Sequence, residues 1–305
     1  MIKDFIKITD FTAEEIFETF KIAADLKKGS EKYSNLLSGK TVACIFHKPS
    51  LRTRISFEAG IFELGGHSLY ITEKEIELGV RESIHDAAKV LSRFVSMIMI
   101  RTFAHKDVEE LGKYAEVPVI NGLTDLSHPC QIMGDMLTAQ EHLGRAENLK
   151  IAYLGDGNNV CNSWLELSCR IPIDFRIGTS PETLPDAAIL RKTKDLGLSK
   201  ISITPNPLEA VSGADIIYTD VWASMGQKDQ TVKKAAQLSR FQVNDIILSN
   251  ADPHCIVMHC LPANRGEEIT DSVMDGKHSV VFDEAENRLH IQKAIMVQLM
   301  RRYIG

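Results

Sequence analysis

The sequence predicts an α/β protein of two doubly wound parallel-sheet domains that are linked by two interdomain helices. Short apolar, β-prone runs alternate with helical patterns along the chain, and such alternation is typical of parallel sheets covered by helices. A chain of 305 residues is also larger than one typical core. We therefore predict one domain over residues 1–135 plus 286–305 and a second domain over residues 148–285.

Composition excludes several classes of function. The formal net charge is −6, with basic residues dispersed along the chain, which argues against a nucleic-acid-binding surface. No apolar run approaches the length of a membrane span, and Asp4 and Asp10 interrupt any signal-peptide pattern. The six cysteines form no C-x-x-C pair, so neither a disulfide framework nor a zinc site is expected. The sequence predicts a cytoplasmic protein with no metal, cofactor or membrane partner.

The first domain begins with a helix and continues as a β-α series. Thr12 and Glu15 form a capping box, and apolar residues at helical spacing follow them. The run Thr41–Phe46 is predicted as a buried strand, and the next helix starts at the N-cap Ser50 and stops at Gly65. Further strands are predicted at His67–Ile71, Ser96–Ile100 and Val117–Ile120, and helices at about Glu82–Phe94, Val108–Tyr114 and Gln131–Leu143.

The second domain is predicted from a second β-α series. Its strands are expected at about Lys150–Leu154, Phe175–Gly178, Ile201–Thr204, Asp215–Tyr218 and Ile256–His259, and its helices near Asn162–Cys169, Leu184–Leu196, Leu208–Ser212 and Val232–Phe241. The last helix, about Glu284–Arg301, is amphipathic, with Ile291, Ala294, Ile295 and Leu299 as core-facing residues. In such folds, ligands are expected beyond the carboxyl ends of the strands.

The stretch from Lys48 to Arg54 lies on a strand-to-helix turn. Free backbone N–H groups, the positive end of the helix dipole, the hydroxyls of Ser50 and Thr53 and the guanidinium of Arg52 converge there. A well-capped helix with surface arginines is the simpler interpretation of such a turn, but the two hydroxyls and the arginines together favour a phosphate or another compact oxyanion. Arg54 is assigned to an ion pair that supports the turn.

Other polar residues follow the predicted strands of the first domain. Arg101 follows Ser96–Ile100, and His128 and Gln131 stand at the entrance of the long helix. His128 can donate an N–H, and the Gln131 amide can both donate and accept. A His-Pro pair at a helix start is more often structural. On the same sheet edge as Arg101, it indicates donors for a small molecule that carries both a phosphate and a carbonyl group.

The second domain opens with a glycine-rich turn, Gly155–Asn159. A dinucleotide fingerprint is a weak interpretation, because Val160 occupies the third glycine position and no acid clearly ends the next strand. Asn158 and Asn159 instead indicate polar groups for a zwitterionic amino acid. Asp220, which also follows a strand, can pair with an ammonium group or cap a helix. Both interpretations stay open.

Cys260 stands at the end of the last predicted strand, before a proline turn. Buried cysteines are usually inert packing residues. A thiol at a strand end that faces an interdomain cleft could be ionised by neighbouring cations, so we keep both a packing role and a reactive role for it.

Six motifs resemble, in order, those of the ornithine branch of the aspartate/ornithine carbamoyltransferase family. They are Ser-x-Arg-Thr-Arg, His-Pro-x-Gln, Gly-Asp-x-Asn-Asn, Asp-x-x-x-Ser-Met-Gly, His-Cys-Leu-Pro and Glu-Ala-Glu-Asn-Arg. The first two are shared by carbamoyltransferases generally. The resemblance implies transfer of the carbamoyl group from carbamoyl phosphate to the δ-amino group of L-ornithine, which gives L-citrulline and phosphate in arginine metabolism. It also implies a homotrimer, or a multiple of one, with active sites shared across subunit boundaries.

The resemblance also implies roles for individual residues. The carbamoyl phosphate set is Ser50, Leu51, Arg52, Thr53, Arg101, His128, Gln131, Cys260, Leu261 and Arg288, with Glu77 of a neighbouring chain as a further contact. The ornithine set is Asn159, Asp220, Ser224 and Met225. Catalysis is expected from Cys260 as proton acceptor together with Arg101, His128 and Asp220.

Two positions depart from the family pattern, and two other functions compete with this one. Leu51 stands where the family commonly has threonine, and Glu77 stands where many relatives have glutamine or histidine. A carboxylate at Glu77 either points away from the phosphate or is neutralised by Arg81 or Lys74. The competing functions are a nicotinamide-dependent dehydrogenase and an inactive relative that binds carbamoyl phosphate as a sensor.

Overall fold

The computed structural model describes residues 4–223 and 228–304, and the chain divides into two compact units. Unit 1 comprises Met1–Gly134 and Glu286–Gly305, and unit 2 comprises Asp135–Ala285. One boundary falls within the helix Pro129–Leu143 and the other within the helix Val281–Ile304. Each unit contains one parallel sheet whose strands alternate with helices, so the predicted α/β class with two parallel sheets is confirmed.

Unit 1 contains a four-stranded parallel sheet in the order β2-β1-β3-β4. Its strands are β1 (Thr41–Phe46), β2 (His67–Thr72), β3 (Met97–Arg101) and β4 (Val119–Leu123). The helices along this part of the chain are α1 (Ala13–Lys27), α2 (Leu51–Glu63), α3 (Glu73–Ile76), α4 (Ile84–Phe94), α5 (His105–Tyr114) and α6 (Pro129–Leu143).

Unit 2 contains a five-stranded parallel sheet in the order β7-β6-β5-β8-β9. Its strands are β5 (Lys150–Leu154), β6 (Asp174–Gly178), β7 (Lys200–Thr204), β8 (Ile216–Thr219) and β9 (Ile256–His259). The helices are α7 (Asn159–Leu167), α8 (Ala187–Leu196), α9 (Pro207–Val211), α10 (Lys228–Leu238), α11 (Asp245–Leu248), α12 (Asp271–Met274) and α13 (Val281–Ile304), the last of which ends in unit 1.

Local signals account for most helix starts. Thr12 accepts the Glu15 N–H and so forms the predicted capping box before α1. The four residues of α13 that were predicted to face the core, Ile291, Ala294, Ile295 and Leu299, are fully buried. The helix predicted from Asn162 begins earlier, at Asn159, because the Asn158 side chain accepts the N–H groups of Val160 and Cys161.

The predicted strand Val117–Ile120 is displaced toward the carboxyl end, to Val119–Leu123. Asn121 and Gly122 lie inside it, and both residue types are rare in strands. The fully buried centre of the sheet overrides that propensity. The short helices α11 and α12 were missed, since four residues are too few for a helical period.

Strand order fixes where ligands can bind. In unit 1 the order reverses between the neighbouring strands β1 and β3, and in unit 2 it reverses between β5 and β8. Such switch points open a crevice at the carboxyl ends of the strands. No helix within the described residues is both long and apolar enough to span a membrane.

Candidate active site

Unit 1 places the predicted oxyanion turn directly after β1, at the switch point. Ser50 is the N-cap of α2, and its Oγ accepts the Thr53 N–H at 3.3 Å. The first backbone N–H groups of a helix have no partner within the helix and attract anions. Leu51 is 71% exposed, so its place in this turn contributes backbone groups rather than a buried side chain.

The hydroxyl of Thr53 is the centre of the polar cluster in unit 1. Three groups donate hydrogen bonds to Thr53 Oγ1. They are Arg101 Nη1 at 3.2 Å, Arg288 Nη2 at 3.4 Å and Ser50 Oγ at 3.1 Å. Arg288 Nη1 also donates to Gln131 Oε1. A hydroxyl oxygen accepts through only two lone pairs. Three donors therefore converge on one hydroxyl oxygen, an arrangement that suits an oxyanion.

The same cluster is strongly positive and shielded from water. Arg101 and Arg288 are only 6% and 4% exposed, and Lys48 is buried beside them with its Nζ 3.1 Å from Asp125 Oδ1. The described hydrogen bonds of Arg288 go to neutral side chains. Buried cations are costly unless an anion compensates them, so these groups favour an anionic ligand.

His128 lies at the start of α6 and is buried. Burial lowers its pKa well below the usual value, and the charges of Arg288, Arg101 and Lys48 lower it further. The imidazole is therefore neutral at pH 7. A neutral imidazole can still donate one N–H to a carbonyl oxygen.

Two other residues of the first domain lie apart from this cluster. Arg54 forms the expected ion pair, with its Nε 2.9 Å from Glu58 Oε1, and its guanidinium lies over the Tyr70 ring. Glu77 is exposed and adopts a left-handed conformation (φ 42°) at the end of α3. Its contact with a ligand stays a prediction.

Unit 2 brings Asp220, Asn158 and Cys260 together. Asp220 follows β8, and it accepts hydrogen bonds from Asn158 Nδ2 at 2.7 Å, Cys260 Sγ at 3.0 Å and Val221 N at 2.8 Å. The side-chain amide of Asn158 thus already bonds to another side chain of the protein. Asn159, the next residue and the first of α7, is buried. Ser224 and Met225, which were expected to contact ornithine, lie outside the described residues.

The charged groups that act on Cys260 in unit 2 are carboxyl groups rather than the cations that could ionise it. Burial raises the pKa of its thiol well above the usual value, and the carboxyl groups of Asp220, Glu284 and Asp135 raise it further. The thiol donates to Asp220 rather than pairing with a positive charge. Cys260 is therefore a neutral hydrogen-bond donor at pH 7.

His259, the residue before Cys260, orients the turn that follows β9. Its Nδ1 accepts the Leu261 N–H at 2.9 Å, so its proton is on Nε2, which lies 3.0 Å from Glu268 Oε1. Asp220, His259 and Cys260 present ligand-type atoms within 4.8 Å of one another. These atoms already bond to protein partners. Leu261 itself has a left-handed φ of 56°.

Sequence reasoning missed part of each cluster. Lys48 belongs to the oxyanion motif but received no role, although its charge acts on His128. Asn158 was expected to face a ligand and instead orients Asp220. A signal existed in both cases, since each residue lies in the turn that follows a strand. No sequence signal connects Asp135 with Cys260.

Comparisons with known proteins agree with this arrangement. The protein-family model described as "Aspartate/ornithine carbamoyltransferase, carbamoyl-P binding domain" matches residues 3–141. The model described as "Aspartate/ornithine carbamoyltransferase, Asp/Orn binding domain" matches residues 147–299. Together they cover both units.

Similar proteins match over nearly the whole chain. The ornithine carbamoyltransferase of Syntrophotalea carbinolica is 48% identical over 303 residues, which cover 98% of this chain and 100% of that protein. The chloroplastic ornithine carbamoyltransferase of Pisum sativum is 47% identical over 98% of this chain and 80% of its own length. The solved structure of ornithine carbamoyltransferase from Pyrococcus furiosus matches with a TM-score of 0.93 and 45% identity, over 98% of this chain and 97% of that one.

Proposed function

The chain belongs to the aspartate/ornithine carbamoyltransferase family, and we propose that it transfers the carbamoyl group of carbamoyl phosphate to the δ-amino group of L-ornithine. The products are L-citrulline and phosphate. The observation that carries the proposal is the buried, donor-rich cluster around Thr53, in which two guanidinium groups reach one hydroxyl. The acid and thiol at the switch point of unit 2 supply the complementary site for an ammonium group.

Carbamoyl phosphate fits the groups of unit 1. Its phosphate would accept hydrogen bonds from the turn of Ser50, Leu51, Arg52 and Thr53 and from Arg101. Its carbamoyl group would be bound by His128, Gln131 and Arg101, with Arg288 as a further donor. A neutral His128 suits the carbonyl oxygen, because it donates a hydrogen bond without adding charge. No cofactor takes part in this scheme.

L-Ornithine fits the groups of unit 2. Asp220 would bind an ammonium group, and Asn159, Ser224 and Met225 would complete the site, with Leu261 beside both substrates. In the reaction, the neutral δ-amine attacks the carbamoyl carbon, the bond from that carbon to the phosphate oxygen breaks, and the phosphate leaves with the electron pair. The attacking δ-nitrogen then loses one proton to the departing phosphate. Holding two reactants in this geometry can contribute about 7–11 kcal/mol.

The proton on free ornithine must leave before the attack, because only the neutral amine is a nucleophile. A protonated Cys260 thiol cannot accept this proton. We therefore propose that Cys260 orients Asp220, and that Asp220 binds the ammonium group and accepts its proton. Since an alkyl ammonium has a pKa of about 10.4, the rate at low ornithine concentration should rise with pH between 7 and 9.

Variants of Cys260 test this assignment. Cys260→Ser keeps an O–H donor and should retain most activity, whereas Cys260→Ala removes the donor to a charged acceptor and should lower kcat/KM for ornithine by about tenfold to a hundredfold. Both should keep the rise of rate with pH, because that rise belongs to ornithine. Steady-state rates from pH 6 to 10 are the measurement. Loss of the pH dependence in Cys260→Ala would show that the thiol itself accepts the proton.

A substrate panel tests the function as a whole. Citrulline formation from carbamoyl phosphate is expected with L-ornithine, and not with putrescine, N-acetylornithine or aspartate as acceptor. The dehydrogenase alternative predicts a fluorescence change on addition of reduced nicotinamide cofactor. The sensor alternative predicts carbamoyl phosphate binding without any citrulline. Either result would overturn the proposal.

We also propose that the chain works as a homotrimer or a multiple of one, with Glu77 near a neighbouring active site. Unit 1 exposes large apolar side chains that a single chain leaves in water, namely Leu51, Ile55, Phe62, Leu69, Val90 and Phe94. The first three lie at helical spacing along α2, and Leu69 lies on the edge strand β2. Contiguous exposed apolar surface marks protein interfaces.

We further propose that the protein is cytoplasmic and acts in arginine metabolism. Its six free cysteines are consistent with a reducing compartment.

Phe62→Glu should weaken this assembly. Phe62 is 79% exposed, so a charge there costs the isolated chain little, but it would be buried in an interface. Light scattering coupled to size exclusion should show a smaller mass at low micromolar concentration. The matched control is Leu196→Glu, an exposed leucine of unit 2. An unchanged mass in Phe62→Glu would place the interface elsewhere.

A further inference from the structure

Two fully buried carboxyl groups lie behind the acid and thiol of unit 2. Asp135 on α6 and Glu284 on α13 are each 0% exposed, and their side chains are hydrogen-bonded to each other. Carboxylate oxygens only accept, so a hydrogen bond between two carboxyl groups requires a proton on one of them. Two adjacent buried carboxylates would also repel each other strongly. The pair therefore holds at least one proton.

Glu284 also contacts the ends of two neighbouring strands. Its Oε2 accepts the backbone N–H of His259, the last residue of β9, at 2.8 Å. Its Oε1 lies 3.3 Å from the hydroxyl of Tyr218, near the end of β8. Asp220 and Cys260 follow directly from these two strands, and they form the 3.0 Å contact of the candidate site. One buried side chain thus holds both strand ends from which the site residues extend.

We propose that Asp135 and Glu284 share a single proton and act as positioning residues that hold the ends of β8 and β9, and so Asp220 and Cys260, in place. Neither residue belongs to the ligand sets assigned above. With one proton, the pair keeps one negative charge close to the thiol. With two, it would carry no charge there, and with none it would place two charges in a site that excludes water.

The electrostatics of the neighbouring groups agree with this geometry. Burial, together with Asp135, raises the pKa of Glu284 well above its usual value, which agrees with a proton held by the pair. The titratable groups that face the pair and the thiol are Tyr218, Tyr153 and Asp220, and burial raises the pKa of both tyrosines so that they stay neutral. The remaining charge of the pair and that of Asp220 act on Cys260.

The reactivity of the Cys260 thiol in amide variants of the pair reports how many protons the pair holds. Asp135→Asn and Glu284→Gln keep the size of each side chain and one acceptor oxygen on each. With one shared proton, either single variant leaves one negative charge, so the pH profile of Cys260 alkylation by iodoacetamide should not change. The double variant removes the last charge and should speed alkylation at pH 8 by about tenfold, because a lower pKa gives more thiolate.

The other protonation states give different patterns. If the pair held no proton, each single variant would already speed alkylation. If it held two protons, the double variant would react like the unmodified protein. Either pattern would overturn the proposal. Cys260 is partly exposed, whereas the other five cysteines are buried, and mass spectrometry of the labelled protein confirms the position. Thermal unfolding of each variant checks that it is folded.

The positioning role has its own measurement, which rests on the proposed function. Glu284→Gln retains one of the two acceptor oxygens for the strand ends and should keep both KM values near those of the unmodified protein. Glu284→Leu loses them, so KM for ornithine should rise by about tenfold, while KM for carbamoyl phosphate stays the same. A uniform loss of active protein without that split would indicate a merely structural role. The alkylation experiment needs no turnover, so it stands even if the substrate assignment fails.

Discussion

Replacing Arg101 by alanine is expected to lower turnover by about a hundredfold to a thousandfold, the usual effect of removing one preorganised donor from a developing oxyanion. Arg101 is the last residue of β3 and its Nη1 lies 3.2 Å from Thr53 Oγ1. Its charge is buried, so it is desolvated in advance and needs no reorganisation during the reaction. Single-turnover and steady-state citrulline formation measure the loss, and circular dichroism should show an unchanged fold.

Arg54→Ala is the matched control for this prediction. Arg54 belongs to the same motif and carries the same charge, but it is exposed and pairs with Glu58. An exposed ion pair of this kind contributes little to stability, so activity should stay within about twofold. Equal losses in both variants would mean that the net charge of the turn matters and that the position of Arg101 does not.

The two units present sites of opposite character, which suits two substrates of opposite charge. The cluster of unit 1 contains buried cations and a neutral imidazole. The cluster of unit 2 contains Asp220, a neutral thiol and a buried carboxyl pair. A dianionic phosphate would be favoured in the first site and repelled by the second. An ammonium group would have the reverse preference.

Much of this arrangement could be predicted from the sequence, because the informative residues are local. Ser50 caps α2 through a bond to Thr53, three residues away, and Arg101 and Asp220 lie at or directly after the ends of strands. Parallel topology then brings such ends to one edge of each sheet. The buried face of α13 was predictable for the same reason, since its apolar residues repeat at helical spacing.

The surroundings of Cys260 could not be predicted. Its thiol is controlled by Asp220, Glu284 and Asp135, which come from β8, α13 and α6. No local pattern shows that these three elements meet, so the negative charges around the thiol could not be foreseen. The same limit applies to Asn158, whose donation to Asp220 depends on the packing of β5 beside β8.

Asp220→Asn is expected to lower kcat/KM for ornithine by about a hundredfold to ten-thousandfold at pH 7, the range lost when a positioned base is removed. Asparagine keeps the size of the side chain and can still accept the Val221 N–H, which lies 2.8 Å from Asp220 Oδ1. It cannot neutralise an ammonium group or accept its proton. KM for carbamoyl phosphate should therefore be unchanged, which separates this defect from that of Arg101→Ala.

The variant also has a distinctive pH dependence. As the pH approaches about 10.4, a growing fraction of free ornithine already carries a neutral δ-amine, so the activity of Asp220→Asn should rise more steeply with pH than that of the unmodified protein, which also uses the protonated form, and should recover toward it. Asp245→Asn, an exposed acid of the same unit, is the control and should match the unmodified protein at every pH. A deficit of Asp220→Asn that is constant from pH 7 to 10 would mean that Asp220 orients ornithine but accepts no proton from it.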